Sequence, residues 1–484
     1  MIKLLRHRNL KIALFILVFA TAGFYSEIIF AVTRHTYRNF TSTWTAPEPL
    51  GLENWIDHAA DGFAGGSGTI EDPFLVSTPE QLAYLAKRVN EGSLGGQRLL
   101  IRISNDIDLA GKEWTPIGTR QHPFSGTLDG EGAVIYNLTI STPQNRQGLF
   151  GVINGAWLQN LTLIGVDIKG RDFVGGFAGV IWRGTIHDSN LVGTVSGRQF
   201  VGGLSGYGAY LDVSSNVYLG NIRGDIYVGG LIGKHTINEG DRFVVLAYAS
   251  MPLPAARMIR NVAIGAVSGR RYVGGLMGHG GERTVVRANF FAGKVRGEAF
   301  SAGISGFFPS RARRSLSSNF AFLYEIDDRG DFTEIAHGAA DRLPTVVLRH
   351  VNGEWYFNSN LLSQENAETR FFDALDGLGR LGLTEATTRR FSENILKRLR
   401  HPFYVLNIPY GTDISQDAPI SVVLTETGFS SSLESFLGGR FWVEDNYFKM
   451  SGSIRDIPKG IYAIPCSRDV GGRFETIWIL LNVI

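Results

Sequence analysis

Six aspartates, Asp167, Asp172, Asp188, Asp212, Asp225 and Asp241, lie in the Gly-rich middle of this 484-residue chain. Paired carboxylates on one groove could do acid–base work on a polysaccharide, provided two or three of them, or one and a basic residue around calcium, converge within several ångström. These six fall at differing phases of the surrounding repeat, so nothing obliges them to meet. The 10 histidines form no His-Glu-x-x-His pair of zinc ligands. Ser205 and Ser305 sit in Leu-Ser-Gly and Ile-Ser-Gly, not in a nucleophile elbow. Gly233-Lys234-His235 lacks the upstream glycine and the following Ser or Thr of a phosphate loop, and His279-Gly280-Gly281 has no nucleophile beside it. The expectation is a chain that is not an enzyme, with no catalytic residues, no metal and no cofactor.

Binding is better served. Phe173, Phe200, Tyr227, Tyr272 and Phe300 occupy one phase of the repeat and should stack coil upon coil. Facing solvent, they would make a flat ladder for sugar rings or an apolar partner; facing inward, they would be core, the usual fate of phase-locked apolar residues. A break in the repeat adds His235, Asp241 and Arg242 to the candidate binding residues. Arg283, Arg287, Lys294 and Arg296, with Arg311, Arg313 and Arg314, read as a solvated surface near the last copies.

The elements that must position these residues are plain in the sequence. Phe173-Val174-Gly175-Gly176-Phe177-Ala178-Gly179 returns at Phe200 to Gly206, Tyr227 to Gly233 and Tyr272 to Gly278, with a degenerate copy at Phe300 to Gly306 and a partial one at Gly148 to Gly151. The period is about 27 residues, in the range of solenoids. A second element, Gly193 to Gly197, Gly220 to Gly224, Gly265 to Gly269 and Gly293 to Gly297, keeps fixed phase with the first, and Asn190, Asn216, Asn261 and Asn289 precede it, with Asn160 and Asn319 in neighbouring copies. No unit can bury its apolar face alone. Stacked coils of parallel strands, wound right-handed, solve that. Asparagines at a recurring corner are expected in the left-handed region, hydrogen-bonded into a ladder. The stretch from Gly229 to Gly274 is 45 residues long, which places an insertion between Lys234 and Arg260.

Ahead of the repeat, Thr78 reads as an N-cap, Pro79 as the first helical residue and Gln81 as the reciprocal cap of a short helix with Leu82, Leu85, Ala86 and Val89 on one face. Such a helix would cover the open end of the stack. The fold class is mainly β, a right-handed parallel β-helix with an N-terminal helical cap and a small C-terminal antiparallel β domain. Its parts are residues 1–32, an export signal or anchor; 33–65, a lead-in; 66–322, the β-helix; 323–402, a mixed helical transition with helices near 371–378 and 386–399; and 403–484, a sandwich-like domain.

Lys3, Arg6, Arg8 and Lys11, then an apolar run from Ile12 to Phe24 and Ala20-Thr21-Ala22, make a cleaved export signal the favoured reading. An uncleaved anchor would put Glu27 in hydrocarbon. Either way the chain is secreted or on the cell surface, touching a membrane only through that segment. Sixty Gly, 44% hydrophobic residues and a net charge of +2 describe a folded chain with no global pull toward nucleic acid, and the single cysteine, Cys466, excludes an internal disulfide.

The Val-Gly-Gly-Leu-x-Gly copies resemble the GLUG motif of bacterial secreted and surface proteins. The block Asn105 to Leu109, Trp114 to Gly118 and Phe124 to Gly130 is similar to the segment that often precedes it. The resemblance implies a haemagglutinin-like stalk and an adhesive role toward a cell-surface glycan or protein, and it carries over no functional residue. Ala302 and the insertion depart from the motif, and the C-terminal third lies outside it. The alternatives are a β-helical polysaccharide lyase or hydrolase, and a structural spacer that displays the C-terminal domain.

Overall fold

The computed structural model describes residues 44–94, 99–236, 256–281, 283–309 and 316–326, and beyond them chiefly strand segments up to residue 483. The export segment, Asp241, Arg242, Arg311, Arg313, Arg314 and the helices expected near 371–378 and 386–399 lie outside the described residues.

Helix α1 spans Pro79–Asn90, with Pro79 in its first turn. The Thr78 hydroxyl accepts from the Gln81 N–H at 3.3 Å, as the sequence predicts. The reciprocal bond goes one residue further back: Gln81 Oε1 accepts from the N–H and the hydroxyl of Ser77 at 2.8 and 2.9 Å. Leu82, Leu85, Ala86 and Val89 are buried and join one apolar cluster with Val76, Leu99 and Ile101 of the first strands.

The chain then winds into a parallel β-solenoid of about eight turns. Each full turn feeds three sheets. The first sheet takes strands such as Phe150–Gln159, Ala178–His187 and Ser205–Ser214; the second takes Thr162–Lys169, Asn190–Ser196 and Val217–Arg223; the third takes Asp172–Gly175, Gln199–Gly202 and Ile226–Gly229. Register follows the motif: Gly175 pairs with Gly202, Gly202 with Gly229, Gly229 with Gly274 and Gly274 with Ala302. The insertion therefore leaves the stack in phase. Parallel pairing also continues past residue 322, where Val346–Val351 pairs with Phe320–Ile326, before two antiparallel strands, Glu354–Phe357 and Asn360–Leu362, close that sheet's path.

The valine and the leucine of each motif copy point inward: Val174, Val201, Val228, Val273, Leu204, Leu231 and Leu276 are all fully buried. The glycines of the second element have a steric reason. A Cβ on Gly265, at φ +147°, would lie 1.6 Å from the carbonyl oxygen of Gly220 in the preceding turn, so only a residue without one lets the coils close up.

The asparagine ladder is present but shifted. Asn216, Asn261, Asn289 and Asn319 are buried and linked amide to amide, Nδ2 to Oδ1, at 3.0, 2.9 and 2.9 Å. Their left-handed corner belongs to the residue before, namely Ser215, Arg260, Ala288 and Ser318, which frees each asparagine to aim its amide along the stack. Asn190 stands one residue off the column. Ser189 holds the ladder position there, and Asn190 donates to Thr162 Oγ1 instead.

From Thr45 onward the chain clusters as one unit. The C-terminal strands form two small sheets. Ser430–Ser431, Gly460–Val470 and Arg473–Val483 pair antiparallel; Phe403–Ile408 runs parallel to Arg473–Val483, which the long intervening connection permits. Asp413–Ile414, Ile420–Val423, Ser435–Phe436, Gly439–Glu444 and Tyr447–Ser453 make the antiparallel second sheet. Val217, Leu219, Ile264 and Phe322 on the outer face of the solenoid's second sheet share one apolar cluster with Leu406, Phe448, Cys466 and Ile479. These strands pack alongside the stack. Burial pushes the Cys466 thiol up to about 12, which leaves it an apolar filler.

Candidate functional site

The five phase-locked aromatics sit on the third sheet at a corner that sequence reasoning did not foresee. Phe173, Phe200, Tyr227, Tyr272 and Phe300 all adopt left-handed backbone, with φ of 62, 57, 60, 57 and 53°. Bulky residues rarely do so. The kink swings each ring away from the core that the following residue enters, a valine in four copies and Ser301 in the last. It also crowds the last glycine of the motif: a Cβ on Gly206 would lie 2.5 Å from the Phe200 oxygen of its own copy and 2.5 Å from the Val174 nitrogen of the copy before, so a glycine there admits the aromatic corner.

The rings form a continuous stack. Successive centroids lie 4.6, 5.0, 4.9 and 4.8 Å apart, with interplanar angles of 3, 14, 7 and 18°. They are half-buried, neither core nor free ladder. Because the faces between successive rings are spent on their neighbours, a sugar ring running along the stack meets only edges.

A second column, seven residues further on, covers one side of the stack. Tyr207 pairs with Lys234, Lys234 with His279 and His279 with Phe307 on the first sheet. Tyr207 meets Phe173 and Phe200 edge-on at 6.0 Å. Lys234 Nζ lies 4.9 Å from the Tyr227 centroid, and the Arg271 guanidinium lies 4.9 Å from that of Tyr272. Both are cation–π distances. His279 stacks on Phe307 at 5.0 Å, and burial together with the Lys234 charge lowers its imidazole to about 4, so it is neutral near pH 7. The signal that would have found this column was the fixed seven-residue offset, hidden because its residue types differ.

His235 is enclosed, 1% exposed, with Nδ1 2.8 Å from Thr284 Oγ1 and Nε2 3.3 Å from the Leu211 carbonyl. Nε2 therefore donates and Nδ1 accepts. Burial holds the ring at about 4, and its role is structural, not the ligand contact expected of it.

The described aspartates do not converge on one groove. Arg198 holds Asp172 through Nε at 2.8 Å and through a second guanidinium nitrogen; Asp167 pairs with Lys169 at 2.8 Å; Asp188 lies 3.0 Å from His187; and Asp225 is 3.7 Å from Arg270. Asp212 differs. It is half-buried and accepts no hydrogen bond among the described residues, and burial raises its carboxyl above the usual range while Arg257 and His187 oppose that. Among the described residues no group of three His, Cys, Asp or Glu is placed to hold a metal ion, and no helix is long and apolar enough to cross a membrane.

The geometry defines a parallel β-solenoid protein with an ordered aromatic corner. No family model matches the chain, and no solved structure does. Among curated proteins, it is 38% identical over 106 residues to a Gly-rich membrane protein of Evansella cellulosilytica, covering 21% of this chain and 12% of that protein. It is 30% identical over 161 residues to halomucin of Haloquadratum walsbyi, covering 29% of this chain and 2% of that protein. The chain thus matches only a small part of each relative's length. Fold and likenesses fit a surface-type protein.

Proposed function

We propose that this chain is an exported, non-enzymatic, adhesin-like protein of the GLUG-repeat type, whose β-solenoid presents its outer faces to a cell-surface or matrix partner. The observation that carries this reading is the in-register stack itself. About eight turns share register, so every outward position becomes a column repeated coil after coil, a geometry suited to extended partners. Kinship of part of the chain to a protein named as a membrane protein supports a surface location. The engagement of Asp167, Asp172 and Asp225 with cations inside the stack favours binding over catalysis. Packing of the C-terminal strands against the second sheet speaks against a spacer that holds them at a distance.

The test is adhesion of the purified, fluorescently labelled chain to intact cells and to matrix-coated plates. Saturable binding that unlabelled chain displaces supports the proposal. Binding no greater than that of an unrelated β-solenoid of equal charge overturns it.

A further inference from the structure

We infer that the outer face of the first sheet around Trp157 is a binding platform for a neutral polysaccharide; this rests on the surface role proposed above and names its ligand class. The face is fixed by alternation. Leu158, Ile186, Val213 and Met258 point inward and are fully buried in the core. Their neighbours therefore point out, and register aligns them: Trp157 pairs with Thr185, Thr185 with Asp212 and Asp212 with Arg257, while His187 projects from the adjoining outward column.

The residue types on this strip are those that sugars need. Trp157 exposes 56% of its surface on a rigid sheet, a flat apolar face open to solvent. Around it stand a hydroxyl, an imidazole, a carboxylate and an exposed guanidinium. Asp129, on the same face, shows what a satisfied carboxylate looks like here: burial pushes it up, but the Glu131 N–H, Gln159 Nε2 and Asn160 Nδ2 all donate to it and, with the Arg102 charge, hold it below the usual range. Among the described residues, Asp212 has no such donors. Saccharide hydroxyls would supply them, Arg257 would donate to hydroxyl or ring oxygens, and the C–H face of another sugar unit would stack on Trp157. Two coils separate Trp157 from Asp212, about 9.6 Å at the usual strand spacing, so the saccharide lies across the strands and spans more than one unit. The half-buried carboxylate disfavours a polyanion.

The experiment uses the purified full chain on a printed array of neutral glycans and in native gels cast with hydroxyethylcellulose, a soluble β-1,3-glucan or polygalacturonate. The wild type should bind neutral glycans and be retarded in a neutral gel. Trp157→Ala should weaken retention about tenfold, equivalent to roughly 1.4 kcal/mol for one aromatic contact, with an unchanged melting temperature because the ring lies outside the core. Asp212→Asn should weaken it by a smaller factor, and Ile70→Ala, at an exposed position outside the strip, should leave it unaltered. Absence of neutral-glycan binding, retention confined to polygalacturonate, or equal retention of Trp157→Ala overturns the platform. If the wild type still adheres to cells in any of those cases, the surface role stands and only the platform falls.

Discussion

Asn261 gives its backbone N–H and its Nδ2 to the same atom, Oδ1 of Asn289 in the next coil, both at 2.9 Å. Its own Oδ1 accepts the same pair of bonds from Asn216, both at 3.0 Å, and its Nδ2 also reaches the Val213 carbonyl. Every amide in the ladder is thereby satisfied in a dry interior, where an unmade bond costs most. Asn261→Leu strands donors on one side and a carbonyl on the other, and it should lower stability by about 2–4 kcal/mol in chemical denaturation. Asn190→Ala, off the ladder, should cost less than about 1.5 kcal/mol.

Gly265→Ala places a Cβ against the Gly220 oxygen and should cost more than about 4 kcal/mol, read as loss of soluble folded protein. Gly155→Asn is the contrast. Gly155 is left-handed at φ +74° with open space around it, and the equivalent positions one and two coils on are Arg183 and Tyr210, both at φ 54°. Its melting curve should shift by less than about 1 kcal/mol in equivalent stability.

Tyr227 sandwiches between Phe200 and Tyr272. Tyr227→Ala removes both stacking contacts and the Lys234 cation–π contact, for an expected loss of about 2–4 kcal/mol, whereas Tyr227→Phe keeps them and should stay within about 0.5 kcal/mol of wild type. A valine at this left-handed corner should do worse than alanine, because a branched Cβ adds strain to the lost contacts. Denaturant midpoints of the three variants give the order.

His235 sits at about 4 in the fold against 6.5 for an unperturbed imidazole, because burial disfavours its charged form. Between those values the unfolded chain binds the extra proton. Stability from this group is therefore complete above pH 6.5, falls as pH drops toward 4 and levels below it, by up to about 3 kcal/mol. Unfolding free energies measured from pH 7.5 to 4.5 should show that decline, and His235→Gln should lessen it, leaving the part that the similarly lowered His279 contributes.

Much of this was legible in the residues. Val-Gly-Gly-Leu-x-Gly recurs because each copy meets the same packing constraint, and the buried Val201 and Leu204 are where that pattern put them. The insertion was found by counting, and register confirms that Gly274 stacks on Gly229 across it. Backbone sign was not legible. Nothing in a phenylalanine announces φ near +60°, which the coil imposes at Phe173 and Phe200 against their own preference. Nor was the strip of Trp157, Thr185, Asp212 and Arg257, where unlike residues meet only through register, so no periodic signal marks it. His235 shows the opposite failure: its place in an insertion made it look like a ligand contact, yet it lies on the strand Ile232–Thr236, where the chain is still core.

Surface display is the claim on which the rest depends, and labelling of intact producing cells with a membrane-impermeant amine reagent tests it most directly. A displayed chain is labelled in intact cells at a level close to that after lysis. Labelling that appears only after lysis would contradict it.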